Sequence, residues 1–411
     1  MNKKRRSPGR KLSGSVMLFF FLAFLLLAVR DGAWQGYVLA AAVPLMIFLG
    51  VHLLPRLFPA NQLLLSLANF LCALGVLLLY CTHPAYAYQQ AFAYGLGLLA
   101  MVFCVYLVRS GRSWHLVIWP LMGLSLVLLA LPVFFGRETN GAKNWIAVAG
   151  VSFQPSEVVK LSLVLILAWF MSRRSILPWL VFACGCLAML MLQKDLGAAL
   201  LYYSVALIMF WCSSGNWFLS LLGLGGGCCA AVWGYQIFSH VRRRVSIWLN
   251  PWKDGMGSGY QIIQGLVAIA SGGLFGVGLG LGSPTAIPVY ESDFIFAVLC
   301  EQFGIVFGCC VLLMYVALIW QAATIAIAAR KRFHGLLAMG CATLLGLQTL
   351  VIVGGVLKLI PLTGVTMPFV SYGGTSLISS LCLIGLIQGV GSLNEDELEE
   401  DAHLAMLSGS V

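Results

Sequence analysis

Twelve apolar runs, most of them near bilayer-crossing length and separated by polar connections, leave this chain few ways to fold. They lie near 16–30, 35–54, 62–81, 90–108, 116–135, 157–172, 177–192, 196–212, 217–238, 294–329, 334–357 and 372–391. A helix needs about 17–25 mostly apolar residues to cross the hydrocarbon core. We therefore read an all-α polytopic membrane protein of about twelve transmembrane helices. The composition agrees, since 61% of the residues are hydrophobic and only 9% charged, against roughly 25% charged in a soluble domain.

Orientation follows from where Lys and Arg fall in short connections. With the N-terminus inside, Lys3, Lys4, Arg5, Arg6, Arg10, Lys11, Arg56, Arg109, Arg112, Arg173, Arg174, Arg330, Lys331 and Arg332 all lie on the cytoplasmic side, fourteen of the 24 basic residues. The basic start and first apolar run read as a retained signal anchor, because no small-residue cleavage site closely follows. Scattered through membrane loops, the +10 net charge points to anionic lipid headgroups and not to nucleic acid. The 13 Cys are nearly all in apolar runs, where they act as small hydrophobes. Their spacing suits neither zinc nor a disulfide framework.

In this topology two long polar segments share the outer face, at about 136–156 and 239–293. Six of the 14 acidic residues crowd the tail at 395–401, and the other eight are Asp31, Glu138, Glu157, Asp195, Asp254, Glu291, Asp293 and Glu301. Most of these fall at the outer side. Ionisable groups in or beside a membrane are costly and mark functional sites by default. The apolar stretch 262–270 within the second loop is too short to span, so it lies re-entrant or flat at the interface.

Each candidate has a plain structural reading beside the functional one. Glu157 and Lys160, three apart at a helix start, can anchor the helix end as an ion pair, or the carboxylate can hold the amine for an anionic ligand. Asp195 can cap the next helix, and Trp145 can be an interfacial belt residue. Glu301 and Gln302 read as polar glue between helices. The Gly-rich 271–280 stretch reads as a flexible loop for close approach, not a dinucleotide fingerprint. Pro and Gly residues across 361–376 break a helix at membrane depth, which is tolerated only beside protein or a polar cavity. Asp293, in Glu291-Ser292-Asp293-Phe294-Ile295-Phe296, puts a carboxylate at the mouth of a membrane helix.

Seven segments in order resemble the SEDS proteins, the shape, elongation, division and sporulation family of RodA, FtsW and SpoVE. They are Asn-Gly-Ala-Lys-Asn-Trp at 140–145, Phe-Gln-Pro-Ser-Glu-Val-Val-Lys at 153–160, Asp-Leu-Gly-Ala-Ala at 195–199, Gly-Ser-Gly-Tyr-Gln at 257–261, Ser-Gly-Gly-Leu-Phe-Gly at 271–276, Ser-Asp-Phe-Ile-Phe-Ala at 292–297 and Pro-Phe-Val-Ser-Tyr-Gly-Gly-Thr-Ser at 368–376. The resemblance covers roughly 62–391 and implies a ten-helix catalytic core there. Around it stand a cytoplasmic basic N-terminus (1–15), an added transmembrane hairpin (16–61) and an acidic cytoplasmic tail (392–411). Two departures stand out: the family's usual Pro-Glu-x-His-Thr-Asp is Pro288-Val289-Tyr290-Glu291-Ser292-Asp293 here, and Lys194 replaces a usual Pro.

The resemblance further implies an inverting glycosyltransferase that polymerises lipid II into β-1,4 glycan at the outer face of the bacterial cytoplasmic membrane. Asp293 would be the catalytic base. Lys160, Glu157, Trp145, Arg243, Asp195 and Ser371 would form the substrate and diphosphate site, with a divalent cation (Mg or Mn) and no organic cofactor. The expected partners are the growing glycan strand, anionic lipids and a class B penicillin-binding protein. A lipid II flippase, or a scaffold without catalysis, is the alternative; the outward clustering of acids disfavours the first.

Overall fold

The computed structural model describes residues 8–408 except 112–113, 140–141 and 149–150. Lys3, Lys4, Arg5, Arg6, Arg112 and the Asn140-Gly141 pair lie outside the described residues. The chain opens with a hairpin of α1 (Pro8–Asp31) and α2 (Trp34–Phe48), which runs on through a π turn at Leu49–Leu53 and a 3-10 turn at Leu54–Arg56. Next come α3 (Gln62–Thr82), α4 (Pro84–Ser110) and α5 (Trp114–Phe135), then strands β1 (Arg137–Thr139), β2 (Ala142–Val148) and β3 (Val151–Phe153). The remaining helices are α6 (Pro155–Ser172), α7 (Ile176–Leu192), α8 (Leu196–Ser214), α9 (Trp217–Ile237), α10 (Ser239–Leu249), α11 (Tyr260–Gly272), α12 (Ile295–Ala328), α13 (Arg332–Val356) and α14 (Gly374–Ser408).

Eleven described helices are long and apolar enough to cross a membrane, and the 17-residue α7 is a shorter apolar helix. The expected set of about twelve is therefore present. The antiparallel sheet, ordered β1-β2-β3, was not expected. It forms where the chain has left the helices but must still pair its backbone groups, and its outer strands are too short to show a period-2 pattern.

Helices α3, α6, α13 and α14 form the buried centre. α14 lies close against α4 because Gly385 has no side chain: a Cβ there would stand 2.4 Å from the Met101 carbonyl oxygen. Small residues let membrane helices approach this closely. α9, by contrast, has no buried residue. At one end of the bundle the tail of α14 pairs with the last turn of α4 and with the α12–α13 connection, Asp396 with Arg109 at 3.1 Å and Glu397 with Arg330 at 3.5 Å. The acidic tail and two of the basic residues assigned to one face thus lie at the same end.

α12 is two helices in series. Gly304 breaks it with φ +84°, and the Gly-rich segment enters the break. Val277 and Gly278 amides donate to the Glu301 and Gln302 carbonyls at 2.9 and 3.1 Å, while the Ile305 amide donates to the Gly273 carbonyl at 3.0 Å. The close approach expected of the glycines is real, since a Cβ on Gly276 would stand 2.2 Å from the Gln302 carbonyl oxygen. The segment completes a broken helix. α11, too short to span as expected, packs along the first turns of α12 with Gly265 against the Phe294 ring.

Candidate active site

Asp293 sits two residues before α12, at the end of a strained turn. Val289 has φ +55°, which a β-branched residue rarely adopts and which costs on the order of 1–3 kcal/mol. The Val289 carbonyl accepts from the amides of Asp293 and Ser292, at 3.2 and 3.4 Å. One carboxylate oxygen of Asp293 accepts from Ser292 Oγ at 2.8 Å. The other faces Gly364, whose missing side chain leaves room: a Cβ there would be 3.7 Å away. Burial pushes the Asp293 carboxyl above the usual carboxylate range, the Ser292 hydroxyl and Arg244 pull it part of the way back, and Glu291 pushes it up again.

The irregular segment between α13 and α14 carries the rest of the site. Ser371 Oγ donates to the Ser292 carbonyl at 2.6 Å and accepts from the Met367 amide at 2.8 Å. The Tyr372 amide donates to the Glu291 carbonyl at 2.8 Å. Ser371 therefore braces the backbone that presents Asp293, a more specific role than the substrate contact expected of it. From α10, Arg244 donates to the carbonyls of Leu362 and Thr363 at 3.2 and 2.9 Å, and Trp248 Nε1 to the Lys358 carbonyl at 3.0 Å.

Arg244, and not its neighbour Arg243, is thus the α10 arginine at Asp293. Arg243 is exposed; after the hydrogen bonds of Ser258 and Gly257, its charge helps hold Asp254 below the usual range. His240 joins Arg244 on the same face. Its Nε2 is buried without a hydrogen-bond partner among the described residues, and burial, then the charges of Arg244 and Lys194, lower its pKa. The sequence carried a signal for this face, because His240, Arg244 and Trp248 recur at a spacing of four.

Lys160 is 3% exposed and pairs with Glu157 as expected. Its Nζ also donates to Gln348 Oε1 at 3.2 Å, and Ser379 Oγ donates to Glu157 at 3.0 Å. Gln348 Nε2 in turn donates to the Thr366 carbonyl at 2.9 Å. The pair therefore joins α6, α13 and α14 and reaches the same irregular segment two residues from Gly364. Gln348 has no sequence signal beyond being polar in an apolar run.

Asp195 does cap α8, accepting from the Ala198 amide at 3.1 Å. Its other oxygen accepts from Asn144 Nδ2 at 2.9 Å and Gln154 Nε2 at 3.0 Å, so it also ties the sheet to α8. Trp145 stands on β2 in register with Arg137 and is partly buried. Glu301 and Gln302, expected to join helices, instead bind the loop that follows α11, accepting from the Ser283 and Gly280 amides at 2.9 and 3.3 Å. Among the described residues no three His, Cys, Asp or Glu side chains group so as to hold a metal ion.

The profile of a family described as cell cycle proteins, FtsW, RodA and SpoVE, matches residues 56–395. The stage V sporulation protein E of Bacillus subtilis is 32% identical over 358 residues, 80% of this chain and 96% of that protein. The peptidoglycan glycosyltransferase RodA of Mycobacterium bovis is 34% identical over 379 residues, 84% of this chain and 81% of that one. Among solved structures, a chain of a peptidoglycan synthase complex that coordinates polymerization and crosslinking matches with TM-score 0.69 and 31% identity, covering 82% of this chain and 98% of that one. The rod shape determining protein RodA of Thermus thermophilus matches with TM-score 0.62 and 30% identity over the same shares. With a profile match across most of its length and its bundle shared with these structures, the chain belongs to the FtsW, RodA and SpoVE family of multi-pass membrane proteins.

Proposed function

We infer that this protein is a peptidoglycan glycosyltransferase that polymerises lipid II into β-1,4 glycan strands. The observation that carries the reading is Asp293: a carboxyl raised by burial, held on a strained turn and braced through Ser371. A base works best with a pKa near the operating pH, and burial moves a carboxylate in that direction. The α-linked lipid diphosphate gives a β-linked product, so the acceptor attacks in line from the face opposite the leaving group. Asp293 takes the proton of the acceptor 4-hydroxyl as its oxygen bonds to the donor C1. The C1–O bond to the diphosphate breaks and its electron pair leaves on the phosphate oxygen.

Arg244 is the cation this geometry favours for the diphosphate, with Lys160 on α6 linked through Gln348 to the irregular segment that Arg244 also binds, and Arg243 exposed. A planar guanidinium suits phosphate oxygens. A divalent cation such as Mg or Mn, if bound here, would be held by Asp293 and would supply positive charge against the leaving diphosphate. Glu157 holds Lys160, and Asp195 and Trp145 shape the neighbouring sheet.

The reading places the site on the outer face, with both termini cytoplasmic. Cysteine introduced at His83 should react with an impermeant thiol reagent from outside, and cysteine at His403 should not, in a background without reactive native Cys; the reverse labelling would put the site on the wrong face. The crosslinking named for the matched synthase complex supports a class B penicillin-binding protein as partner. The deciding assay gives the purified protein lipid II in liposomes: glycan strands support polymerisation, whereas lipid II crossing the bilayer unpolymerised would make it a flippase.

A further inference from the structure

Glu301 is 6% exposed and lies on α12 just before the break at Gly304. Its Oε1 accepts from the Ser283 amide at 2.9 Å, but its Oε2 is buried without a hydrogen-bond partner among the described residues. No described Lys, Arg or His forms an ion pair with it. Arg30, whose guanidinium reaches the Gly280 carbonyl, is already committed to Asp31 at 2.8 Å. Beside Glu301 lies a cavity of about 80 Å³, lined by Gln264 and Ser271 of α11 and by Ser283 and Ile287 of the loop that follows. A Cβ on Gly282 would stand 2.7 Å from Oε2, so the glycine keeps the space beside that oxygen open.

A carboxylate enclosed by protein with a single hydrogen bond is costly, and buried charges in proteins are paired or bind metal ions. Holding the loop accounts for Oε1. It does not account for an unpartnered Oε2 beside a polar cavity. The other polar side chains there, Gln264, Ser271 and Ser283, bring neutral oxygens; Ser271 Oγ donates its proton to the Ala268 carbonyl at 2.8 Å, which leaves its lone pairs free to face a cation. Oxygen donors suit hard cations. The charge balance selects the valence, because one carboxylate neutralises one positive charge and a divalent ion would leave an uncompensated charge in the bundle. The cavity is larger than the share of one water, about 30 Å³, and Ser271 and Ser283 are exposed, so a small ion can enter and keep some of its hydration.

We propose that Glu301 Oε2, with Gln264, Ser271 and Ser283 around it, forms a site for a monovalent alkali-metal cation, Na+ or K+. The ion ties α11 and the loop after it to the half of α12 that begins two residues after Asp293. It secures the first half of the broken helix, and with it the seat of the catalytic turn, without touching substrate.

The test is thermal unfolding of the purified full-length protein in detergent, in NaCl, KCl or N-methylglucamine chloride at one ionic strength. Na+ or K+ should raise the midpoint by a few degrees and saturate, as a ligand bound only by the folded state does; N-methylglucamine is too large for the cavity and should not. Glu301→Gln keeps an acceptor for the Ser283 amide and loses the charge, so in N-methylglucamine its midpoint should match or exceed that of wild type, and it should be indifferent to Na+ and K+. Should that variant fail to fold, Gln264→Leu/Ser271→Ala retains the carboxylate and should raise the half-saturating cation concentration about tenfold. Asp293→Asn should keep the full cation response. Equal wild-type midpoints in all three salts, the result for a cavity that holds water only, would overturn the site. So would a cation response that survives Glu301→Gln, an unchanged half-saturation in Gln264→Leu/Ser271→Ala, or a rise with CaCl2 at the same ionic strength and none with NaCl or KCl.

Discussion

Ser371 donates a 2.6 Å hydrogen bond to the carbonyl of Ser292, so the segment entering α14 holds the peptide immediately before Asp293. Ser371→Ala removes that donor and leaves a carbonyl short of a partner, a loss of about 1–3 kcal/mol when buried. Misplacement of the base should appear in kcat more than in KM, with expression and membrane insertion retained. Ser371→Thr keeps the hydroxyl and should fall between the two. A Ser371→Ala protein with unchanged kcat would remove the brace from the account.

At Lys160 the buried pair complicates a simple truncation. Lys160→Met leaves Glu157 unpaired inside the bundle, which costs about 3–5 kcal/mol, so lost polymerisation alone would not identify a role in chemistry. The double variant Lys160→Met/Glu157→Gln removes both charges and should recover thermal stability but not polymerisation. Lys160→Arg should restore activity only in part, since the guanidinium keeps charge without the compact geometry. Full activity in the double variant would leave the pair a purely structural one.

Burial raises the pKa of Asp293 in the folded protein, so ionising it costs folding free energy. That cost is absent below the unfolded carboxylate pKa, grows as pH rises, and is complete above the raised folded value. Asp293→Asn should therefore be more thermostable than wild type at neutral pH, and the gap should close as pH falls toward 4, the ordinary range for Asp. Polymerisation by wild type should rise with pH through the raised pKa. A melting difference that does not change with pH would mean that the carboxyl is not burdened by burial.

The transmembrane helices were legible because lipid demands long apolar runs, and these are visible without knowledge of their neighbours. The break at Gly304 was not. A glycine inside an apolar run is ordinary, and the interruption depends on the 273–278 backbone arriving from elsewhere in the chain. The sheet was not legible for a related reason, as its two outer strands are three residues long and carry too little pattern to show what the longer central strand pairs with. Arg243 was the arginine expected at the site, but it stands in a run of three from Arg242 to Arg244, successive residues on a helix point about 100° apart, and only the four-residue spacing of His240, Arg244 and Trp248 selects the inward arginine. Asp195 meets its reading as a helix cap, and its link to the sheet through Asn144 and Gln154 was not legible, because the sheet itself was not.

A cognate class B penicillin-binding protein should raise the polymerisation rate of the purified protein through contacts with membrane helices and outer loops. The comparison is strand formation with and without the partner in the same liposomes. Equal rates would argue that the N-terminal hairpin, whose Arg30 reaches the Gly280 carbonyl at 3.2 Å, already supplies the support expected from a partner.

The most direct test of Asp293 as the base is the rate of glycan formation from purified lipid II by Asp293→Asn, Glu291→Gln and the double variant beside wild type. Asn keeps the size and a hydrogen-bond acceptor but cannot take the hydroxyl proton at neutral pH. Asp293→Asn should keep expression and partner binding while its rate falls by about 10²-fold or more, the usual scale for a lost general base, and Glu291→Gln should retain most activity. A near wild-type rate in Asp293→Asn together with an inactive Glu291→Gln would show that Glu291 is the working acid and would contradict the account.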